Sequence, residues 1–270
     1  MTHPYGRHAH PTPQHDDNQL RRVGRAPRGL GDEPTVLVPT VSPAHLGPGT
    51  RGADQQHADV AEPVSRDQSA LVDFWWLAHR DGTGAPVLRR SITSIGLATA
   101  LLWDMRDQLL IDVNGITVFD ERMSSEPTEQ GLLNRLITEG AEHPPDTWLD
   151  VIAVDGIYDQ TARRLINAGQ VKAVGWPRKR YPYVGADPTR AAWPAGRLMS
   201  SFRLHGQFED DDLILVALVL ACGLDEYVFY DDHAQAVAQA RREVRRGDQV
   251  LRTLYACTEA AVAKAVTVRR

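Results

Sequence analysis

The chain has 270 residues, 42% of them apolar and 24% charged, with a formal net charge of -5. This length accommodates one or two domains with a sizeable core, and the acidic balance excludes a protein that is basic overall. A contact with nucleic acid or with an anionic bilayer therefore depends on a local basic patch. Cys222 and Cys257 are the only cysteines, and both lie in apolar segments, which predicts two free buried thiols.

Residues 1–64 differ in composition from the rest of the chain. They contain nine of the 17 prolines and six of the ten histidines, with little apolar periodicity. Such a segment cannot bury enough apolar surface to offset its chain entropy, so we predict a disordered Pro/His-rich tail over 1–64 and a folded domain over 65–270. We interpret His8 and His10 as part of a solvated tail rather than a metal site, because no carboxylate or cysteine ligand accompanies them.

No segment of the sequence predicts a membrane span. The first residues lack the apolar core of a signal peptide. The most apolar run, Leu213–Leu224, has about 12 residues, whereas a helix that crosses a bilayer needs roughly 20. This run therefore predicts a core helix.

The ordered region reads as a series of helices. Ser65 and Gln68 have the spacing of a capping box before the apolar run LVDFWWLA, which predicts a first helix over about 66–79. Ser91 opens a second helix with a broad apolar face, which indicates deep burial: Ile92, Ile95, Leu97, Leu101, Leu102 and Met105. Gly169 is placed to end the helix expected at about 157–168. The remaining helices are expected at about 128–140, 145–154, 157–168, 188–204, 210–223, 231–246 and 248–268.

Two β-hairpins interrupt the helices. In LLIDVNGITVFD, two β-prone runs flank Asn114-Gly115, a strong signal for a two-residue hairpin turn. A second pair of β-prone runs, QVKAVGW and RYPYVG, surrounds a basic centre. There is no βαβ alternation and no internal repeat. The predicted fold class is mainly α: a single helical domain with two β-hairpins, preceded by a disordered N-terminal tail.

The second hairpin, VGWPRKRYPYVG at 174–185, concentrates cations and aromatic rings. Three interpretations fit these residue types: a solvent-exposed hairpin whose rings pack back on the domain, a tip at a bilayer interface, and a single-stranded nucleic-acid platform. Pro177 and Pro182 flank the cations and suit a hairpin tip better than a stacking platform. The residues concerned are Trp176, Arg178, Lys179, Arg180, Tyr181 and Tyr183.

The sequence gives little support for catalysis, and we expect no catalytic residue, metal or cofactor. His79-Arg80-Asp81 lacks the accompanying kinase motifs and is interpreted as a polar turn after a helix. The acidic run Glu209–Asp212 is interpreted as helix-dipole stabilisation rather than a Mg²⁺ site. One helix also carries four arginines near its end, interpreted as a solvated helix terminus with an anion-binding patch as the alternative: Arg241, Arg242, Arg245 and Arg246.

The order of features over about residues 69–268 resembles the Golgi phosphoprotein 3 family, in particular its bacterial, actinobacterial-type members. The resemblance rests on four pieces in their order: Gly96-Leu97 with Ala100-Leu101-Leu102, Pro127-Thr128 with Leu132-Leu133, Trp148, and Leu165 with Gly169. It implies a mostly helical domain with a protruding β-hairpin. It also implies a peripheral membrane protein that recognises phosphatidylinositol 4-phosphate and, in eukaryotes, an adaptor that holds glycosyltransferases in the Golgi.

The phosphate-binding positions of the family differ in this chain. The positions implied by the resemblance fall on Ala98, near Arg89 with gap uncertainty around Val87, and near Asp155 and Tyr158. A carboxylate such as Asp155 repels a phosphate. The familiar phosphoinositide site is therefore not retained in its usual form, and Arg89 and Arg90 offer replacement charge.

These observations lead to one functional hypothesis and one alternative. The hypothesis is a non-enzymatic peripheral membrane protein, cytoplasmic and membrane-associated, that binds anionic phospholipid through the second hairpin together with Arg89 and Arg90. The alternative is a cytosolic protein-interaction scaffold that has lost lipid binding. A protein partner or self-association through 172–185 is also considered, and nucleic acid is not expected as a partner.

Overall fold

The structure is a computed structural model that describes residues 69–139, 143–175, 179–185 and 189–267. These residues are mainly helical, with one two-stranded antiparallel sheet. The predicted fold class is therefore confirmed for the domain, while the tail predicted over 1–64, with His8 and His10, lies outside the described residues.

Ten α-helices and two strands make up the described part of the chain. A short 3-10 helix, Asp210–Asp212, precedes α7. The elements are α1 (Ala70–Leu77), α2 (Arg90–Asp104), β1 (Leu109–Ile111), β2 (Ile116–Val118), α3 (Pro127–Glu139), α4 (Pro145–Val154), α5 (Ile157–Asn167), α6 (Trp193–His205), α7 (Leu213–Cys222), α8 (Asp225–Val228), α9 (His233–Arg246) and α10 (Gln249–Thr267).

The first helix starts later than the capping-box pattern predicted. Ser69 has an extended backbone, with φ -75° and ψ 116°, and its side chain accepts a hydrogen bond from the Val72 amide. The carboxylate of Asp104, at the end of α2, accepts hydrogen bonds from the Ala70 amide at 2.8 Å and from the Ser69 hydroxyl at 2.8 Å. The expected start at about residue 66 was wrong, because a distant carboxylate together with Ser69 satisfies the free amides of the first turn.

The core forms where α1, α2, α7 and α10 pack together, and the predicted apolar face of α2 is buried as expected. α7, the most apolar run, lies among these helices, and no helix of the described residues has the length and apolar character to cross a membrane. Gly96 lets α1 approach α2, because a Cβ at this position would lie 2.2 Å from the Phe74 ring. Both cysteines are free thiols, as predicted, but only Cys222 is buried as expected, and Cys257 is partly exposed.

The helical bundle has two ends, which can be told apart by the position of Asp104. Since α2 ends where α1 begins, the Asp104 end contains Ser69 and Asp104. Arg197 pairs with Asp73 in the first turn of α1 and with Asp212 just before α7. Asp212 therefore lies at the same end of the bundle. The loop between α1 and α2 and the start of α2 at Arg90 lie at the opposite end, which we call the hairpin end.

The first hairpin is confirmed, but its turn is centred one residue earlier than predicted. The register pairs Ile111 with Ile116, which leaves Val113 and Asn114 as the two central residues. Asp112 closes the turn: its side chain accepts hydrogen bonds from the amides of Asn114 at 2.7 Å and Gly115 at 3.0 Å. The Asp112 carboxylate thus directs the turn that we had assigned to the Asn-Gly pair.

Several smaller expectations can be compared with the structure. Gly169 follows α5 with φ +67°, the left-handed conformation that ends a helix, as predicted. The region expected to be helical over 188–204 starts only at Trp193, with Pro194 in its first turn. The short helix α8 was not predicted. Asp81 lies in an exposed turn after α1, as predicted, but His79 is buried and forms an isolated bridge with Pro86, so the polar turn begins after it.

Candidate membrane-binding surface

The second hairpin consists of two antiparallel arms without a regular ladder. Val174 and Arg180 exchange two backbone hydrogen bonds of 2.9 and 2.8 Å, and Val171 and Tyr183 form a second isolated bridge. Pro182 lies between these bridges and has no N–H to donate, which explains why the pairing is discontinuous. The tip residues Trp176 and Arg178, expected to touch a bilayer, lie outside the described residues.

The two tyrosines of this hairpin turn toward the domain. Tyr181 is only 4% exposed, and its ring meets the Trp75 ring at 5.4 Å and 70°. Tyr183 is half-buried, with its ring 5.5 Å from that of Trp76 in an edge arrangement. The expectation that Tyr181 lies at a bilayer interface is therefore corrected: its ring belongs to the core, and Tyr183 is largely engaged by α1.

The hairpin is fixed to the loop between α1 and α2. The Tyr181 amide donates to the Gly84 carbonyl at 2.9 Å. Gly84 has φ +59°, and a Cβ there would lie 2.1 Å from the Tyr181 carbonyl carbon and 2.2 Å from the Pro182 nitrogen. Only glycine permits both this left-handed backbone and this close approach. The loop thus holds the second arm of the hairpin in place.

Beneath this contact, two polar side chains are joined inside the core. His79 is 2% exposed, and its Nδ1–H donates to the Trp75 carbonyl at 2.8 Å. Because a carbonyl can only accept, Nε2 carries the lone pair and accepts from the Tyr158 hydroxyl at 2.9 Å. Burial lowers the pKa of His79 to about 4 and raises the pKa of Tyr158. Both groups are neutral at pH 7, as a buried hydrogen-bonded pair requires.

Arg89 and Arg90 lie at the same end of the bundle but in different environments. Arg89 is exposed at the start of α2, where no side chain caps the helix. The Arg90 guanidinium stacks over the Tyr158 ring, 4.7 Å from its centre, and pairs with the Asp159 carboxylate. Asp159 therefore partly neutralises Arg90, whereas Arg89 takes part in no ion pair of the described residues.

The hairpin end carries a basic surface. Its exposed members with no ion pair among the described residues come from both the second hairpin and the α1–α2 loop: Arg80, Arg89, Lys172, Lys179 and Arg180. Asp81 is an exposed carboxylate in the same loop. The helix start at Arg89 adds a favourable field for anions. We refer to these five cations as the basic end surface.

The positions that the family resemblance assigned to phosphate binding do not form a pocket. Ala98 is fully buried inside α2. Asp155 is exposed and pairs with Arg135. Tyr158 is buried beneath Arg90. Among these positions only Arg89 presents an unpaired cation, so the arrangement offers diffuse positive charge rather than an enclosed phosphate site.

The structure also contains a cleft that no sequence pattern predicted. A polar cleft of about 1160 Å³ lies beside the first turn of α3 and the last turns of α5. Its charged lining comes from distant parts of the chain and mixes both signs: Asp73, Asp104, Arg106, Glu126, Glu129, Arg163, Arg164 and Arg190. Arg164 pairs with Glu126 at 3.3 Å. The lining thus carries four carboxylates and four arginines, whose formal charges cancel.

The acidic run before α7 is used for structure. Asp212 is 1% exposed, and its carboxylate binds Arg197 at 2.6 Å, while Arg197 also holds Asp73 at 3.0 Å. Within the described ranges, no group of three or more His, Cys, Asp or Glu side chains is arranged to hold a metal ion. The interpretation of this run as the start of a helix is consistent with its position directly before α7.

The model of a known protein family matches most of the chain. The model of the Golgi phosphoprotein 3 (GPP34) family matches residues 73–267, which span the helical bundle and both hairpins. A search of curated proteins finds no match. The matched span agrees with the resemblance drawn from the order of the sequence motifs.

Proposed function

We propose, from the premise that the chain belongs to the Golgi phosphoprotein 3 family, that it is a non-enzymatic peripheral membrane protein that binds anionic phospholipid. In this proposal it works at the cytoplasmic surface of a membrane. Binding occurs at the hairpin end of the bundle, through the basic end surface and the tip of the second hairpin.

The observation that carries the proposal is the fixed position of this surface. The Tyr181–Gly84 hydrogen bond and the packing of Tyr181 on Trp75 hold the second hairpin against the α1–α2 loop. Lys179 and Arg180 therefore lie at the same end of the bundle as Arg89. Each cation near an anionic bilayer contributes about 1 kcal/mol, so three to five together support reversible attachment.

The chemistry favours recognition of negative charge over recognition of one headgroup. An enclosed phosphate site needs several converging donors, and the family positions here supply only Arg89. Arg90 is already bound to Asp159 and Tyr158. We therefore expect phosphatidylserine and phosphatidylinositol 4-phosphate to bind according to their charge, with no strong preference beyond it.

Sedimentation with liposomes tests the proposal on the full chain. The three compositions are phosphatidylcholine alone, phosphatidylcholine with phosphatidylserine, and phosphatidylcholine with phosphatidylinositol 4-phosphate. We expect binding to both anionic vesicles and little to the neutral ones. The triple variant Arg89, Lys179, Arg180→Gln should weaken binding by about a hundredfold, because it removes about 1 kcal/mol per cation.

The matched control neutralises three exposed arginines at the end of α9, Arg242, Arg245 and Arg246→Gln. It removes the same charge from another surface and should leave vesicle binding unchanged. Equal recovery with neutral and anionic vesicles would contradict the proposal. So would an equal loss in the two triple variants, since net charge alone would then explain the binding.

A second candidate function, a protein-interaction scaffold, is favoured by the outer face of the first hairpin. Large apolar side chains are exposed there: Leu110 at 60%, Val113 at 68% and Phe119 at 65%. Contiguous exposed apolar residues often mark protein contacts. This candidate gains support if the chain binds none of the three vesicle compositions.

A further inference from the structure

The end of α9 presents a second group of unpaired arginines. Arg241, Arg242, Arg245 and Arg246 are all exposed, and none of the ion pairs formed by the described residues includes them. Arg242 donates only to the amide oxygen of Gln239. The helix dipole favours cations in the last turn, which accounts for Arg245 and Arg246 but not for the two arginines one turn earlier.

The nearby carboxylates are already occupied by other donors. Glu243 accepts hydrogen bonds from the Phe208 amide at 3.0 Å and from Gln239. On the neighbouring helix α10, Glu259 accepts from the Tyr255 hydroxyl at 2.6 Å. Burial and the Glu259 carboxylate raise the pKa of that hydroxyl, and the positive charges of Arg241 and Arg245 offset part of this rise. The four arginines of α9 thus form no ion pair among the described residues, although carboxylates are close.

These arginines lie away from the basic end surface. α9 passes into α10 through Gly247 and Asp248 alone. Asp248 lines a cavity of about 510 Å³ with Ala70 and Trp103, which belong to the Asp104 end of the bundle. Because α2 separates the two ends with 15 residues, the distance is about 22 Å. A flat bilayer at the hairpin end does not reach Arg245 or Arg246.

We propose that the four arginines at the end of α9 form a docking surface for an acidic polypeptide segment. Arginine binds carboxylates through paired, geometrically fixed hydrogen bonds. Their spacing of four residues puts the arginines in two neighbouring rows, about 9 Å long, along one helix. Such a narrow stripe matches an extended chain better than a broad membrane surface. The surface goes beyond the proposed membrane function and does not depend on it.

Fluorescence anisotropy with a labelled oligoglutamate peptide tests the docking surface on the full chain at physiological salt. We expect saturable binding that weakens with added salt. The variant Arg241, Arg242, Arg245, Arg246→Gln should bind at least about tenfold more weakly. The matched control Arg106, Arg122, Arg163, Arg190→Gln removes the same charge from exposed positions outside both basic surfaces and should bind within about twofold of the parent.

Three results would overturn the inference. The first is the absence of saturable peptide binding, and the second is an equal loss in the two quadruple variants. The third is loss of phosphatidylserine vesicle binding in the α9 variant but not in the control, since the stripe would then face a bilayer. The milder double variant Arg242, Arg246→Gln, checked by circular dichroism, keeps the test decisive if the quadruple variant fails to fold.

Discussion

The two hairpins of this domain differ in how regular their strand pairing is and in how they are attached to the domain. The first has a regular ladder of three residue pairs, and its outer face carries exposed apolar side chains such as Phe119. Among its described residues the second has two isolated bridges, yet the Tyr181 ring lies in the core and the Tyr181 amide donates to the Gly84 carbonyl. The first hairpin combines its own ladder with an inner face, including Ile116, that is buried in the core, whereas the second has isolated bridges in place of a ladder and is held by Trp75 and Gly84.

The two hairpins also differ in the charge of their exposed side chains. Around the first hairpin the exposed charges include Asp107 and Glu121, and Arg122 pairs with Asp120. The exposed charges of the second hairpin are cations, Lys172, Lys179 and Arg180. An anionic surface therefore attracts the second hairpin and not the first. The apolar face of the first hairpin suits a neutral or protein partner.

We expect the largest effect from a change at Gly84, which contacts the second hairpin. Gly84→Ala should lower the free energy of unfolding by about 3 kcal/mol, because it adds left-handed backbone strain and a contact with the Tyr181 backbone. Urea unfolding measures the change. Vesicle binding should also fall, since Lys179 and Arg180 lose their fixed position.

Gly82 in the same loop provides the control. A Cβ at Gly82 would meet no atom within 4 Å, so Gly82→Ala should change stability by less than about 0.5 kcal/mol. Similar stabilities for the two variants would show that the second hairpin does not depend on its contact with Gly84.

The second effect is a local response to acid at the second hairpin. The ordinary pKa of histidine is 6.5 and that of His79 in the fold is about 4. Between these values the unfolded chain takes up a proton that the folded protein excludes, so stability contributed by neutral His79 is lost as the pH falls. Protonation also prevents Nε2 from accepting the Tyr158 hydroxyl. The buried His79–Tyr158 pair lies beneath the contact of Tyr181 with the domain, so acid should weaken the packing of the second hairpin.

Global unfolding would hide this response. Burial raises the pKa of Asp104 from 3.8 to about 6, so the folded protein takes up a proton there between these values and acid favours the fold. The two groups act in opposite directions. Hydrogen exchange at single amides separates them, because Tyr181 reports on the second hairpin and Phe119 on the first.

From pH 6.5 to pH 4 the protection factor of the Tyr181 amide should fall by about tenfold relative to that of Phe119. His79→Phe removes the titrating group and should abolish the difference between the hairpins. An equal loss of protection at both amides would show that acid acts on the whole domain.

The contrast between the hairpins also shows what the sequence can predict. Periodicity placed the buried face of α2 and the apolar helix α7 correctly, because these patterns depend on nearby residues. The side on which Tyr181 lies depends on Trp75 and Gly84, about a hundred residues away in the chain, and no local pattern encodes it. The start of α1 was missed for the same reason, since Asp104 supplies the cap.

The candidate site was predictable only in part. The cations Lys179, Arg180 and Arg89 could be selected by residue type, and their exposure agrees with that selection. The pairing of Arg90 with Asp159 could not be foreseen, because it joins the start of α2 to α5. The apolar outer face of the first hairpin was also missed, since alternation indicates two faces without showing which one stays uncovered.

The smallest expected effect concerns that uncovered face. Phe119 is 65% exposed, so Phe119→Ser should change the free energy of unfolding by less than about 0.5 kcal/mol. Vesicle binding should remain unchanged, because Phe119 belongs to the hairpin that an anionic surface does not attract. Ile116→Ser on the same hairpin is the control: Ile116 is fully buried, and its loss should cost about 3 kcal/mol or more. If Phe119→Ser reduced vesicle binding at unchanged stability, the first hairpin would have to contact the membrane, and the division of roles between the hairpins would be wrong.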